Sequence, residues 1–88
     1  MACDVLGRQL LKSGTSTAAN YRAACRAKST ADFRAKMGIV EEESDESLFW
    51  LEMLVEAGIV SEKSVKSLMQ EASEITAMTV ASIKSSRR

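Results

Sequence analysis

The sequence predicts an all-α fold, an antiparallel up-and-down helical bundle with three long helices of a four-helix pattern. Three observations carry that prediction. Proline is absent and glycine occurs only 4 times in 88 residues, so almost nothing punctuates the backbone. Apolar residues recur at the three-and-four spacing of helices rather than the alternation of strands. Stop and start signals gather at two places, around Ala27 to Thr30 and around Gly58 to Ser61, which divides residues 1–88 into three segments of one domain.

The first helix is predicted over about residues 2–27. Counted from Val5 at 100° per residue, Leu6, Leu10, Leu11, Ala18, Tyr21, Ala24 and Cys25 share one arc. Arg8, Lys12, Arg22 and Arg26 fall together on the adjoining flank. Between them, Ser13-Gly14-Thr15-Ser16-Thr17 is a run of poor helix formers, each worth roughly 0.5–1 kcal/mol less than alanine in a helix. Such a run needs tertiary support, and its small side chains let another helix approach closely. A single glycine without a phosphate-loop frame does not make an anion cradle.

The second helix is predicted over about residues 30–57, with Ser29 as its cap and Asp32 three residues on in a capping-box-like pair. Measured from Phe33, the residues Met37, Val40, Leu48, Leu51, Leu54 and Val55 lie within about 60° of one line and form a core face. Ile39, Trp50, Met53 and Ala57 form a second apolar strip, separated from the first by Glu43. A helix that is apolar on two sides has two sets of neighbours. That second strip is expected to meet another copy of the chain or a partner helix, because an exposed patch centred on tryptophan invites association.

Gly58 ends the second helix and Ser61 opens the third, predicted over about residues 62–85. Val65, Leu68, Met69, Ala72, Ile75, Val80 and Ile83 make a single stripe, the pattern of an outer helix. Both connections are short, so sequential helices run antiparallel.

Composition excludes much chemistry. There is no histidine, which removes imidazole metal sites and histidine-based nucleophilic catalysis. The carboxylates Glu41, Glu42, Glu43, Asp45 and Glu46 are dense but confined to one helix, unlike di-metal bundles that draw ligands from four. No enzyme activity, metal or cofactor is expected. Glu43 and Glu46 read instead as partners for Ser16, Asn20 or Arg22 of the first helix. Cys3 and Cys25, some 33 Å apart on one helix at about 1.5 Å per residue, are too distant to bridge within the chain. With no secretory leader and no membrane-length apolar run, the expected location is the cytoplasm.

Charge is balanced overall, with 12 Lys+Arg and 12 Asp+Glu, but it is segregated. Residues 1–40 hold seven bases and two acids, residues 41–62 eight acids and no base, and residues 63–88 five bases and two acids. Such poles suit either pairing between copies or a basic face turned to an anion such as RNA. Only Tyr21, Phe33, Phe49 and Trp50 are aromatic, so nucleic acid would be held by its phosphates rather than by base stacking.

The run Gln9-Leu10-Leu11-Lys12-Ser13-Gly14-Thr15-Ser16, continuing to Ala19-Asn20-Tyr21-Arg22, with Ala27-Lys28-Ser29, Asp32-Phe33, Lys36, Glu43, Glu46 and Trp50-Leu51, resembles the bacterial four helix bundle protein family. That family includes proteins encoded in intervening sequences of large-subunit ribosomal RNA genes, and the accessory protein of diversity-generating retroelements is similar. The resemblance covers nearly the whole chain. It implies an antiparallel bundle assembling into homopentamers, a positively charged surface suspected of binding nucleic acid, and no established enzymatic activity. The chain departs from the family in two places: an amphipathic helix that usually comes first is missing, and Ala23 stands where glutamate is usual. The expectation is therefore a self-assembling, non-catalytic bundle that binds RNA through Arg8, Lys12, Arg22 and Arg26, or alternatively a protein–protein module with no nucleic-acid role. A bundle short of one helix is also expected to have an open groove.

Overall fold

The computed structural model describes residues 2–87, with side chains from Asp4 to Arg87; the Cys3 thiol lies outside the described residues. Three helices account for nearly all of it: α1 Ala2–Cys25, α2 Thr30–Glu56 and α3 Glu62–Ser86. Their ends follow from local chemistry. Ser29 caps α2, its Oγ accepting from the Asp32 amide at 3.0 Å, while the Asp32 carboxylate accepts from the Lys28 amide at 3.3 Å. The reciprocal half of the capping pair thus reaches one residue further back than the capping-box pattern, to the amide of Lys28 rather than of Ser29. At the other end Gly58 takes φ +71, and its amide and that of Ile59 bond the carbonyls of Val55 and Leu54, each at 3.0 Å. This is a Schellman closure, and the left-handed backbone it requires explains the glycine. Ser61 then caps α3 by accepting from the Ser64 amide at 3.2 Å.

The run of poor helix formers does not break α1. Its hydroxyls turn back onto the helix instead, Thr15 donating to the Leu11 carbonyl at 2.8 Å and Thr17 to the Ser13 carbonyl at 2.8 Å.

α2 is the spine, packing against both α1 and α3. Among the described residues α1 and α3 do not approach each other within 8 Å between Cα atoms, so the three helices enclose only part of a bundle core. The molecule measures 44 × 20 × 13 Å, and its 14.2 Å radius of gyration exceeds the roughly 12 Å of a compact 88-residue domain. It is a slab about one helix long and one helix thick.

Apolar burial occupies both ends: Ala24, Met37 and Val40 are buried at one, with Phe33, Ile75 and Ile83 packed on them, and Leu51, Leu54 and Val65 at the other. Between the two ends the contact layer turns polar. Ser13 and Ser44 are 1% exposed and Thr79 is fully buried. Two hydroxyl pairs cross the helix interfaces there: Ser47 Oγ donates to Ser13 Oγ at 3.0 Å between α2 and α1, and Ser44 Oγ lies 2.7 Å from Thr76 Oγ1 between α2 and α3. No buried side-chain polar atom among the described residues lacks a partner.

The apolar faces are buried unevenly. Met37, Val40, Leu51 and Leu54 of α2 are buried, with Leu48 and Val55 half-buried. On α3, Leu68 is 52% exposed although it lies on the stripe, as is Leu11 of α1 at 67%. Both look into the space between α1 and α3, which none of the described helices covers.

Candidate functional site

Two surfaces stand apart from the packed interfaces. The first is the outer flank of α1. Arg8, Lys12, Arg22 and Arg26 are all exposed. At 100° per residue Arg8 and Arg22 lie on the side of α1 opposite Ser13 and Ala24, the residues buried against α2, with Lys12 further round toward its edge, and Arg26 follows just past the helix end at Cys25. The four cations form two pairs, each four residues apart, the first within α1 and the second across its C-terminal end. Arg8 and Lys12 are like charges at a spacing that destabilises a helix by a few tenths of a kcal/mol, whereas Arg22 and Arg26 sit at the C-terminal end of α1, where the helix dipole favours cations.

The second surface is a groove of about 620 Å³ between α1 and α3. Its walls are Gly7, Leu10, Leu11, Gly14, Thr15, Thr17 and Ala18 on α1 and Leu68, Glu71, Ala72 and Ile75 on α3, with Ser44, Ser47 and Leu51 of α2 as its floor. A Cβ built on Gly14 would meet nothing within 4 Å. Of the small-residue run, Ser13 makes the close crossing with α2, while Gly14 faces open space.

The remaining residues singled out by sequence are placed as follows. Ile39 is 37% exposed and Met53 36% exposed; Ala57 is exposed and Trp50 half-buried, so the chain's own helices leave this strip open. The Trp50 indole N–H donates to Glu46 Oε1 at 3.1 Å, and its ring meets Phe49 edge-to-face at 4.9 Å between centroids. Ser16 and Asn20 are joined within α1, the Asn20 amide donating to the Ser16 carbonyl at 2.9 Å and to its Oγ at 3.3 Å. Glu46 is held by Trp50 of its own helix, and Glu43 contributes its backbone carbonyl to Ser47 at 3.0 Å. The polar contacts across the interfaces are thus made by serine and threonine hydroxyls, not by Glu43 and Glu46 reaching Ser16 and Asn20. Short hydroxyls fit an interface this close; a glutamate side chain does not. The signal for them was present, since Ser44 and Ser47 repeat at helical spacing between Val40 and Leu51. Among the described residues no three acids or thiols are gathered so as to hold a metal ion, and no helix is long and apolar enough to cross a membrane. The Cys25 thiol is free and exposed.

The family model for the 23S rRNA-intervening sequence protein matches residues 3–81, nearly the full length of the three helices. The chain belongs to that family. Among solved structures it is similar to a protein of unknown function from the S23 ribosomal protein family of Bacteroides thetaiotaomicron, at 36% identity and a TM-score of 0.87. The match covers 91% of this chain and 74% of that one. No curated protein matches. The family therefore accounts for the all-helical fold, and neither description names a catalytic activity.

Proposed function

We propose that this protein is a non-catalytic, self-assembling bundle that holds RNA by its phosphates along the outer flank of α1. The observation that carries this reading is the exposure of Arg8, Lys12, Arg22 and Arg26 together along one flank of α1 and its C-terminal end. The phosphates of an anionic partner would neutralise that flank. Each flank alone makes weak contacts; assembly through the Ile39, Trp50, Met53 and Ala57 strip, into pentamers by the family resemblance, would present several flanks at high effective concentration.

The test is the salt dependence of binding to a fluorescently labelled structured RNA. Replacing Arg8, Lys12, Arg22 and Arg26 together by glutamine should leave the circular dichroism unchanged. It should also lower the slope of log affinity against log salt by about 3 per protomer if all four touch phosphates, at roughly 0.7–0.9 per contact. Absence of wild-type affinity at low salt would overturn the reading. A second reading is favoured by the exposure of Glu42, Asp45 and Glu46 on α2: the cationic flank of one copy pairs with this acidic segment of the next, without nucleic acid. In that case raising the salt dissolves the assembly itself.

A further inference from the structure

The molecule has a basic pole that the α1 flank covers only in part. Residues 22–36 carry five Lys/Arg and one acid, and residues 82–87 carry two Lys/Arg and no acid, so these stretches hold seven of the 12 bases in the chain. The fold brings them to one end. α1 ends at Cys25, α2 begins at Thr30, and the last turn of α3 reaches the same place, where Ser85 and Ser86 line a crevice together with Lys28, Ser29 and Thr30. Helix dipoles account for part of this charge, since Arg22 and Arg26 lie at the C-terminal end of α1 and Lys84 and Arg87 at that of α3. They do not account for Lys28, which precedes the N-cap of α2, the end where a dipole favours acids. Asp32, the one acid in these stretches, turns its carboxylate to the Lys28 amide at 3.3 Å. Among the described residues none of the seven bases meets a carboxylate in an ion pair.

The crevice holds about 540 Å³ and is closed beneath. Ala24 is buried and Phe33 packs on the core, so these two lining residues make a floor. The rim is polar. Ser29 Oγ accepts from the Asp32 amide and Ser86 Oγ donates to the Ile83 carbonyl, whereas the exposed Thr30 and Ser85 hydroxyls form no hydrogen bond among the described residues. Lys28 is exposed beside them, and Lys84 and Arg87 adjoin the two lining serines of α3. A closed floor stops a strand from threading through and admits a group tethered at one point. A phosphodiester is tied to its strand on two sides and carries one charge; a phosphomonoester is tied once, carries roughly 1.5–2 charges at neutral pH and offers three strong acceptor oxygens. The monoester suits a blind crevice rimmed by cations and unspent hydroxyls.

We propose that this crevice is a phosphomonoester site and that it takes the phosphorylated end of an RNA strand, a choice of ligand that rests on the RNA reading. Lys28 and the Thr30 and Ser85 hydroxyls hold the phosphate oxygens, and Lys84 and Arg87 add their field from the α3 side. The α1 flank then continues the track: Arg26 and Arg22 lie beside the pole, and Lys12 and Arg8 further along the helix meet phosphates behind the strand end.

Three internally labelled RNA oligonucleotides of one sequence test it, with a phosphate at the 5′ end, at the 3′ end or at neither. In fluorescence anisotropy at low salt a phosphorylated strand should bind at least about fivefold tighter than the strand with two hydroxyl ends, and the end that is preferred gives the polarity. Lys28→Gln with Arg87→Gln changes two exposed side chains, so the circular dichroism should be unchanged while that preference disappears. Arg8→Gln with Lys12→Gln should weaken all three strands alike and leave the preference intact. A second measurement needs no strand: in amide NMR, adenosine 5′-monophosphate or adenosine 3′-monophosphate should shift the Lys28, Thr30 and Ser85 signals, and adenosine should not. Equal affinity for three strands that bind, a preference that survives Lys28→Gln with Arg87→Gln, or absence of those shifts overturns the proposal. If no strand binds, the RNA reading falls and the nucleotide titration alone decides the site.

Discussion

Glycine has opposite meanings at the two positions where it matters most. Gly58 adopts φ +71, a conformation that costs other residues roughly 1 kcal/mol, so Gly58→Ala should lower the unfolding free energy by about that amount in urea titration. Gly14 is helical with open space in front of it, and Gly14→Ala should raise stability by about 0.5–1 kcal/mol through helix propensity alone. A loss at Gly14 would mean that something already packs on it. Ser47 tests the hydroxyl layer: Ser47→Ala removes the donor to Ser13, whose own proton still reaches the Leu10 carbonyl at 3.1 Å, leaving no buried donor stranded. The expected loss is about 1 kcal/mol, as for a single net hydrogen bond, read from the same titration. These serines were the least legible part of the sequence. Their spacing is that of core residues, but residue type argued for the surface, and only the closeness of the helices reveals why a hydroxyl is preferred to a methyl-bearing side chain.

The helices themselves were legible because their punctuation is local. Ser29, Ser61 and Gly58 act through bonds to residues no more than five positions away, which a sequence displays directly. Ser29→Ala should therefore cost about 1 kcal/mol and fray the start of α2, measurable as faster amide exchange in its first turn. The amphipathic faces were legible as faces but not as contacts. Leu11 and Leu68 belong to apolar stripes and are nevertheless more than half exposed, since a stripe records which side of a helix is apolar, not whether a neighbour is there to cover it. The pairing of α1 with α2 and of α2 with α3 follows from short connections; the lack of contact between α1 and α3 depends on the whole arrangement. The same limit applies to Glu43 and Glu46, whose wheel positions border an interface that their length keeps them from bridging.

At the scale of the molecule, a slab 13 Å thick has two broad faces and little interior, so apolar groups lie on both. The groove takes one side. On the other lies the strip of Ile39, Trp50, Met53 and Ala57, where Trp50 is tied to Glu46 and Phe49 of its own helix rather than enclosed. Trp50→Ala in a single copy should then fall short of the roughly 3–5 kcal/mol lost from a closed core, because much of the ring is never removed from water. Assembly changes that expectation. If copies meet through this strip, the indole and the Ile39 and Met53 side chains become an interface centre, where charge is most damaging. Ile39→Glu with Met53→Glu alters residues more than a third exposed in the lone chain, so the helical circular dichroism should survive. The species seen by light scattering should become smaller, and the RNA affinity should fall by far more than the loss of two apolar side chains implies, because the cationic flanks would no longer act together. An unchanged particle size would remove the strip from the assembly and leave each α1 flank to bind phosphate alone.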